Sequence, residues 1–272
     1  MTADPEIRRQ FADDFSLRKI AYLLGDYEPP PIGDFDPAGQ WQQSYAMFVM
    51  EGPGGNKVGE VSLERVPKGQ QNFTLTVRTR RLGNSGFSQF QQAELQCRTN
   101  TVATPESWVF DTKMARDPGE QPYLQSGGRR NAAVANGTLA VHDRWRTGKT
   151  VLDGPYSSEW TLLEAVQRLP GEQTRDLDFT LIDDYDTPQP GHRLAYRGTA
   201  KVMLRSGPEQ LTGFFDLGHA LVPTTYWVDR HHRLLFVCSG LMVYALSATD
   251  GQAGRCPDRY TAYQDPANPA ED

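Results

Sequence analysis

Thr224-Thr-Tyr226-Trp227-Val228-Asp229-Arg230-His231-His232-Arg233-Leu-Leu-Phe-Val-Cys238-Ser-Gly240-Leu-Met-Val-Tyr244-Ala-Leu246 is the stretch whose pattern decides the fold. Two β-rich runs, Thr224–Val228 and Arg233–Cys238, flank the polar break Asp229–His232. That pattern predicts a hairpin with a loop of ordinary length. A third apolar run, Leu241–Leu246, follows Gly240, so three neighbouring strands are expected. Three strands can form the centre of a sheet, where an isolated pair is marginal. Side chains alternate across a strand, so Tyr226 and Trp227 take opposite faces. At least one of them is expected to anchor the core, and His231 and His232 are expected to sit in solvent at the turn.

Working back along the chain, period-two runs recur from Trp41 onward. Tyr45–Met50 reads as a buried strand, and Val58–Val66 follows the turn Glu51-Gly-Pro-Gly-Gly-Asn56. Asn72–Arg80 alternates Phe73, Leu75 and Val77 with Thr74, Thr76 and Arg78, and Phe87–Arg98 alternates in the same way. Thr104–Lys113 is a further strand, and Arg116–Gly128 is a Pro- and Gly-rich excursion. Asn136-Gly137 between two apolar runs is a two-residue hairpin turn. One helix interrupts the strands: Ser157 or Ser158 caps it, Leu162, Val166 and Leu169 share a face, and Pro170-Gly171 ends it. Strands resume at Leu177–Ile182 and Leu194–Leu204. This order predicts a mainly β protein, a curved antiparallel sheet around one helix.

The ends read differently. Ile7, Phe11 and Phe15, then Leu17, Ile20, Ala21 and Leu24, carry helical spacing up to Gly25. Pro29-Pro30-Pro31 then enforces an extended arm. The organisation expected is a helix and Pro-rich arm over residues 1–40, a β domain over 41–247, and an irregular tail over 248–272. The terminal helix is a candidate surface for a protein partner or a second copy of the chain.

The 272 residues carry a formal net charge of −6 and a mean hydropathy of −0.59. An acidic balance gives no overall attraction to nucleic acid. No run approaches the roughly 18 apolar residues of a membrane helix, and no basic start followed by an apolar run marks a signal peptide. Two compartments stay open: the cytoplasm, or the periplasm if an export signal was removed. Cys97, Cys238 and Cys256 are odd in number and widely spaced, so no disulfide framework or Cys-x-x-Cys site is expected. No cofactor motif is present, and His231-His232 lacks a third ligand at metal spacing.

The strand order, the helix Trp160-Thr-Leu-Leu-Glu-Ala-Val-Gln-Arg-Leu-Pro170 and the segment Pro223-Thr-Thr-Tyr226-Trp227-Val-Asp229 resemble the half-barrel superfamily of bacterial lipoprotein carriers and related periplasmic domains of unknown function. The resemblance covers roughly residues 42–247. It implies a curved sheet around a helix, a hydrophobic cavity in some members, and no enzyme activity in most.

The residues with binding chemistry are His142, Arg144, Trp145, Arg146, Tyr156, Tyr196, Arg197, His219, Tyr226 and Trp227. A curved sheet could gather several of them. Aromatic planes cover apolar ligands or stack on sugars, and Arg neutralises carboxylates. The leading expectation is a non-catalytic module holding an apolar or amphipathic molecule, a lipid or saccharide, or a partner protein, with His142, Trp145, Arg146, Tyr156, Tyr196, His219 and Tyr226 as ligand contacts. The rival is a saccharide lyase using Tyr or His as base with Arg nearby.

Overall fold

Period-two alternation dominates the chain from Trp41 onward, and the computed structural model shows most of the described residues folded into strands. The structure describes Leu17 and residues 21–24, 35–51, 54–83, 87–116, 128–144, 147–171, 175–204, 207–218, 222–249 and 252–253. A short 3-10 turn, Ala21–Leu24, comes first. The first arm of the sheet contains β1 (Trp41–Glu51), β2 (Gly54–Lys68), β3 (Asn72–Leu82), β4 (Phe87–Arg98), β5 (Pro105–Arg116), β6 (Gly128–Ala135), β7 (Thr138–Asp143) and β8 (Thr147–Val151). Then come β9 (Tyr156–Ser158), helix α1 (Glu159–Arg168), β10 (Leu177–Asp183), β11 (Thr187–Leu204), β12 (Gly207–Leu217), β13 (Thr224–Val228), β14 (Leu234–Ser239), β15 (Met242–Thr249) and β16 (Gln252–Ala253).

All of these strands join one sheet in the order β8-β7-β6-β5-β4-β3-β2-β1-β15-β14-β13-β12-β11-β10-β9, with β16 beside β15. Among the described residues the one parallel pair is β9 with β10, where Leu181 faces Ser157. α1 is the crossover between them, which parallel neighbours require. The expected closing hairpin is present as β13 and β14, with Tyr226 opposite Val237 and Trp227 opposite Phe236, and β15 continues it. The Asn136-Gly137 turn joins β6 and β7 with φ of 51° and 70°, the left-handed pair that a two-residue hairpin needs.

α1 begins where expected. The Ser158 hydroxyl accepts from the Thr161 amide, and Thr161 returns the bond to the Ser158 backbone. The expected apolar face of Leu162, Val166 and Leu169 is buried, but so is every residue from Trp160 to Gln167. The sheet wraps the helix, so its polar residues must find partners inside. Glu164 accepts from Arg65 Nε at 2.8 Å and from Arg168 at 2.7 and 2.9 Å. Arg65 also donates to the carbonyls of Ala38 and Gly39 and lies over the Phe73 ring. Gln167 and Gln43 exchange amide bonds at 2.9 and 3.1 Å, and the Tyr45 hydroxyl donates to Gln43 and to the Leu234 carbonyl.

The β9–β10 end of the sheet meets the first arm without a backbone ladder. Thr104 Oγ1 donates to the Tyr156 carbonyl, and Ser157 Oγ donates to the Val102 carbonyl. Trp108 Nε1 donates to the Tyr185 carbonyl, and Arg130 binds the Asp184 carbonyl and the Asp186 carboxylate. The Tyr185 ring stacks on Phe110 at 4.5 Å and on Trp160 at 6.4 Å. These contacts form a side-chain seam, and β6, β7 and β8 continue beyond β5 at the outer end of that arm.

The expectations for the two ends fall largely outside the described residues, and the loop differs from expectation. Of the predicted terminal helix and Pro-rich arm, all but Leu17 and residues 21–24 lie outside the described residues up to residue 34. Ala21–Leu24 is a 3-10 turn with Leu23 and Leu24 buried. Within the span expected to be a tail, β15 runs to Thr249 and β16 pairs back onto it, and the remaining residues of that span lie outside the described residues. His231 is buried rather than solvated, at 8% exposure, and His232 is half-buried with φ of 67°. The reason is Asp229, whose carboxylate accepts the amides of both His231 and Arg233 at 2.8 Å and folds the loop onto the domain. Burial nevertheless raises the Asp229 pKa, outweighing those two bonds. No described helix is long and apolar enough to cross a membrane.

Candidate functional site

Alternation decides which side chains reach the concave face. On β12, Phe214 and Asp216 point inward together, and on β11, His192 and Leu194 do the same. Leu194 pairs with Asp216, so His192 and Asp216 are diagonal neighbours across the ladder. On the same face, Phe214 pairs with Tyr226, Tyr226 with Val237, and Val237 with Tyr244. The first turn of α1 stands over this row.

Between them lies a cleft of about 430 Å³. Trp160, Leu163, Leu181, Tyr226, Val237 and Tyr244 give it apolar and aromatic walls. Glu159, Asp183, Gln189, His192, Asp216, Thr224 and Ser239 supply polar groups. His192 Nδ1 lies 2.8 Å from Asp216 Oδ1, with both residues buried. A carboxylate only accepts, so Nδ1 carries the proton. Nε2 is buried and has no hydrogen-bond partner in the protein. In the neutral imidazole Nε2 is an unused acceptor in a residue that lines the cleft. Gln189 donates to Asp183 Oδ2 at 2.9 Å, and Thr224 donates to Ser239 at 3.0 Å.

The cleft is electronegative. Burial, then the charges of Asp183 and Asp184, push Glu159 up to about 7 from the usual carboxylate range, against a smaller pull from Arg81. Burial pushes the Tyr226 hydroxyl well up, and Asp216 and Glu159 add to it. Tyr244 rises through burial and the charge of Glu159. Among the described residues no Lys or Arg lines the cleft.

Of the seven residues expected to contact ligand, Tyr226 lines this cleft. Tyr196 packs edge-on against Phe214 at 6.1 Å, and its ring is half-buried. Tyr156 belongs to the seam, and His142 is exposed on β7, bonded to Thr147 Oγ1 at 2.7 Å. Trp145, Arg146 and His219 lie outside the described residues, and Arg144 is exposed. Arg197 and Trp227 meet on the opposite face: the guanidinium stacks over Trp227 at 4.9 Å and over Phe215 at 4.4 Å. The residues that sequence reasoning missed are His192, Asp216 and Glu159. A polar residue at an inward position, as Asp216 is after Phe214, is the signal that could have found one of them. No cluster of described His, Cys, Asp or Glu side chains has the arrangement of a metal centre.

A wider groove of about 990 Å³ runs over β1 to β6 and includes Lys57, Arg78, Lys113 and Arg129. Three of its cations meet a carboxylate: Lys57 pairs with Glu60 at 2.8 Å, Arg78 with Glu64 at 3.2 Å, and Arg129 approaches Asp111 at 4.0 Å.

No protein-family model matches the sequence, and no curated protein matches it. A solved structure does resemble the fold: the crystal structure of a β-barrel-like protein of domain of unknown function DUF1849 from Brucella abortus. The two share 14% identity at a TM-score of 0.53, over 78% of this chain and 98% of that one. At this identity the likeness shows the fold alone. It is consistent with a half-barrel fold.

Proposed function

We propose that this chain is a binding module that holds a small amphipathic molecule in the cleft between α1 and strands β10 to β15. The observation that carries this is the cleft itself. Its volume of about 430 Å³ falls within the range of small-molecule sites, roughly 300–1,000 Å³. Aromatic walls with a few convergent polar groups are the usual composition of such sites. The resemblance of the sequence to the half-barrel superfamily, which implies a hydrophobic cavity in some members, is in keeping with the same reading. A saccharide lyase is the weaker alternative. It needs Arg beside Tyr and His to neutralise a uronate, and the described lining offers three carboxylates and no Arg.

The test is a titration of the full chain with N-phenyl-1-naphthylamine, an uncharged amphipathic fluorophore. A saturable rise at one site per chain is expected. Thr224→Trp, which fills the half-buried rim, should remove it while leaving the circular-dichroism spectrum unchanged. A linear, unsaturable response, or an unchanged response in the folded Thr224→Trp protein, overturns the proposal. Screening polysaccharides for an unsaturated product in the ultraviolet tests the rival, and a product would displace the binding reading.

A further inference from the structure

We infer that the cleft selects organic cations: its ligand is an amphipathic primary amine whose ammonium donates to His192 Nε2 and is neutralised by the carboxylates around it. This rests on the cleft being a binding site and deepens that reading to a chemical class.

Three independent features point to an amine. The first is His192, 3% exposed, with Nδ1 committed to Asp216 and Nε2 without a partner. A buried acceptor left unmade costs free energy, and a ligand N–H satisfies it. The second is the charge of the walls. Glu159, Asp183 and Asp216 line one cleft, and no Lys or Arg lines it among the described residues. Asp216 already accepts from His192, and Asp183 accepts from Gln189, but neither partner cancels the negative charge unless the imidazole takes a second proton. An anionic ligand would face that charge, and a neutral one would leave it unanswered. The third is the aromatic wall of Tyr226, Tyr244 and Trp160, which accommodates the apolar body of an amine and whose π-faces attract a cation.

The titration of the site is consistent with this geometry. Glu159 is held near 7 by burial and by its acidic neighbours Asp183 and Asp184, opposed by Arg81, with Tyr185, Tyr226 and Tyr244 also facing it. A bound cation would relieve that repulsion. The amine should therefore bind more tightly as pH rises from 6 to 8, and its binding below pH 7 should take a proton from Glu159.

Calorimetric titration of the full chain at pH 8 with phenethylamine, phenethyl alcohol and phenylacetate tests the inference. The three share an aromatic body and differ in head-group charge. Phenethylamine is expected to bind at least tenfold more tightly than the alcohol, and phenylacetate should give no binding. Asp183→Asn, at a half-exposed position, and Glu159→Gln should each weaken the amine about tenfold more than they weaken the alcohol. If the alcohol binds as tightly as the amine, the cation inference is overturned while the binding module stands. If the two carboxylate variants keep full amine affinity, the amine binds elsewhere and the inference falls. If the amine, the alcohol and N-phenyl-1-naphthylamine all fail to bind, both proposals fall together.

Discussion

Glu164 is the residue whose replacement tests most directly how this fold is held. It is fully buried on α1 and faces two arginines, Arg65 at 1% exposure and Arg168 nearer the rim. Glu164→Leu removes the one carboxylate and strands the Arg65 guanidinium, whose remaining anchors are the carbonyls of Ala38 and Gly39 and the face of Phe73. Breaking a buried ion pair from one side costs about 3–5 kcal/mol, because the surviving charge stays desolvated. Domains of this kind have about 5–15 kcal/mol in total, so the variant should lose a large part of its stability. Arg65→Met should cost less, since Arg168 still makes two bonds to Glu164. The double variant, Arg65→Met with Glu164→Leu, should recover most of the loss, because no buried charge is left alone and Arg168 can turn towards water. Urea unfolding followed by tryptophan fluorescence and circular dichroism reads all three, with an unchanged m-value as the control for a common unfolded state. The double variant should fall well short of the sum of the singles. A loss below about 1 kcal/mol for Glu164→Leu, or strict additivity in the cycle, would refute the view that this network fixes α1 inside the sheet.

Other consequences can be measured on the same samples. Glu159 has a folded pKa of about 7, raised above its unfolded value, so its protonated form is favoured by folding. Its stabilising effect is full below the unfolded pKa and is lost as pH rises through about 7, and Asp229, also raised, acts in the same direction. The urea midpoint should fall between pH 5 and 8, and Glu159→Gln should flatten that fall. Gly213→Ala should destabilise by roughly 1–3 kcal/mol, because an added methyl forces overpacking. That methyl would sit 2.6 Å from the Trp227 ring, and a thermal melt shows the effect. Asp229→Ala leaves the amides of His231 and Arg233 without their acceptor and should cost about 1–3 kcal/mol in the same assay, whereas an exposed loop residue would cost nothing.

Much of the fold was legible because its signals are local. The hairpin from Thr224, the Asn136-Gly137 turn and the Ser158 cap each depend on a few adjacent residues, and each sits where its residue types require. The parallel pair was not legible: β9 is three residues long, too short for alternation to show. The cleft was less legible still. His192 and Asp216 are 24 residues apart and meet only through the pairing of β11 with β12, which no single-strand pattern reveals. His142 and Arg144, grouped with Tyr226 for their chemistry, are exposed and do not line the cleft that holds Tyr226. For His231, alternation stops at the loop, and the burial there is set by the Asp229 carboxylate.

The side-chain seam has a geometric consequence. In a closed barrel, strand number, tilt and shear are locked together, because the last strand must bond to the first in register. Here Thr104, Trp108, Arg130 and Ser157 join the two ends, and none of their bonds prescribes a register. The circumference is thereby released from counting. A hairpin can be gained or lost at the free β8 end without altering the stagger of any strand that surrounds α1. The fold is a scroll with a pinned overlap, and its margin can lengthen while the rolled part keeps its diameter.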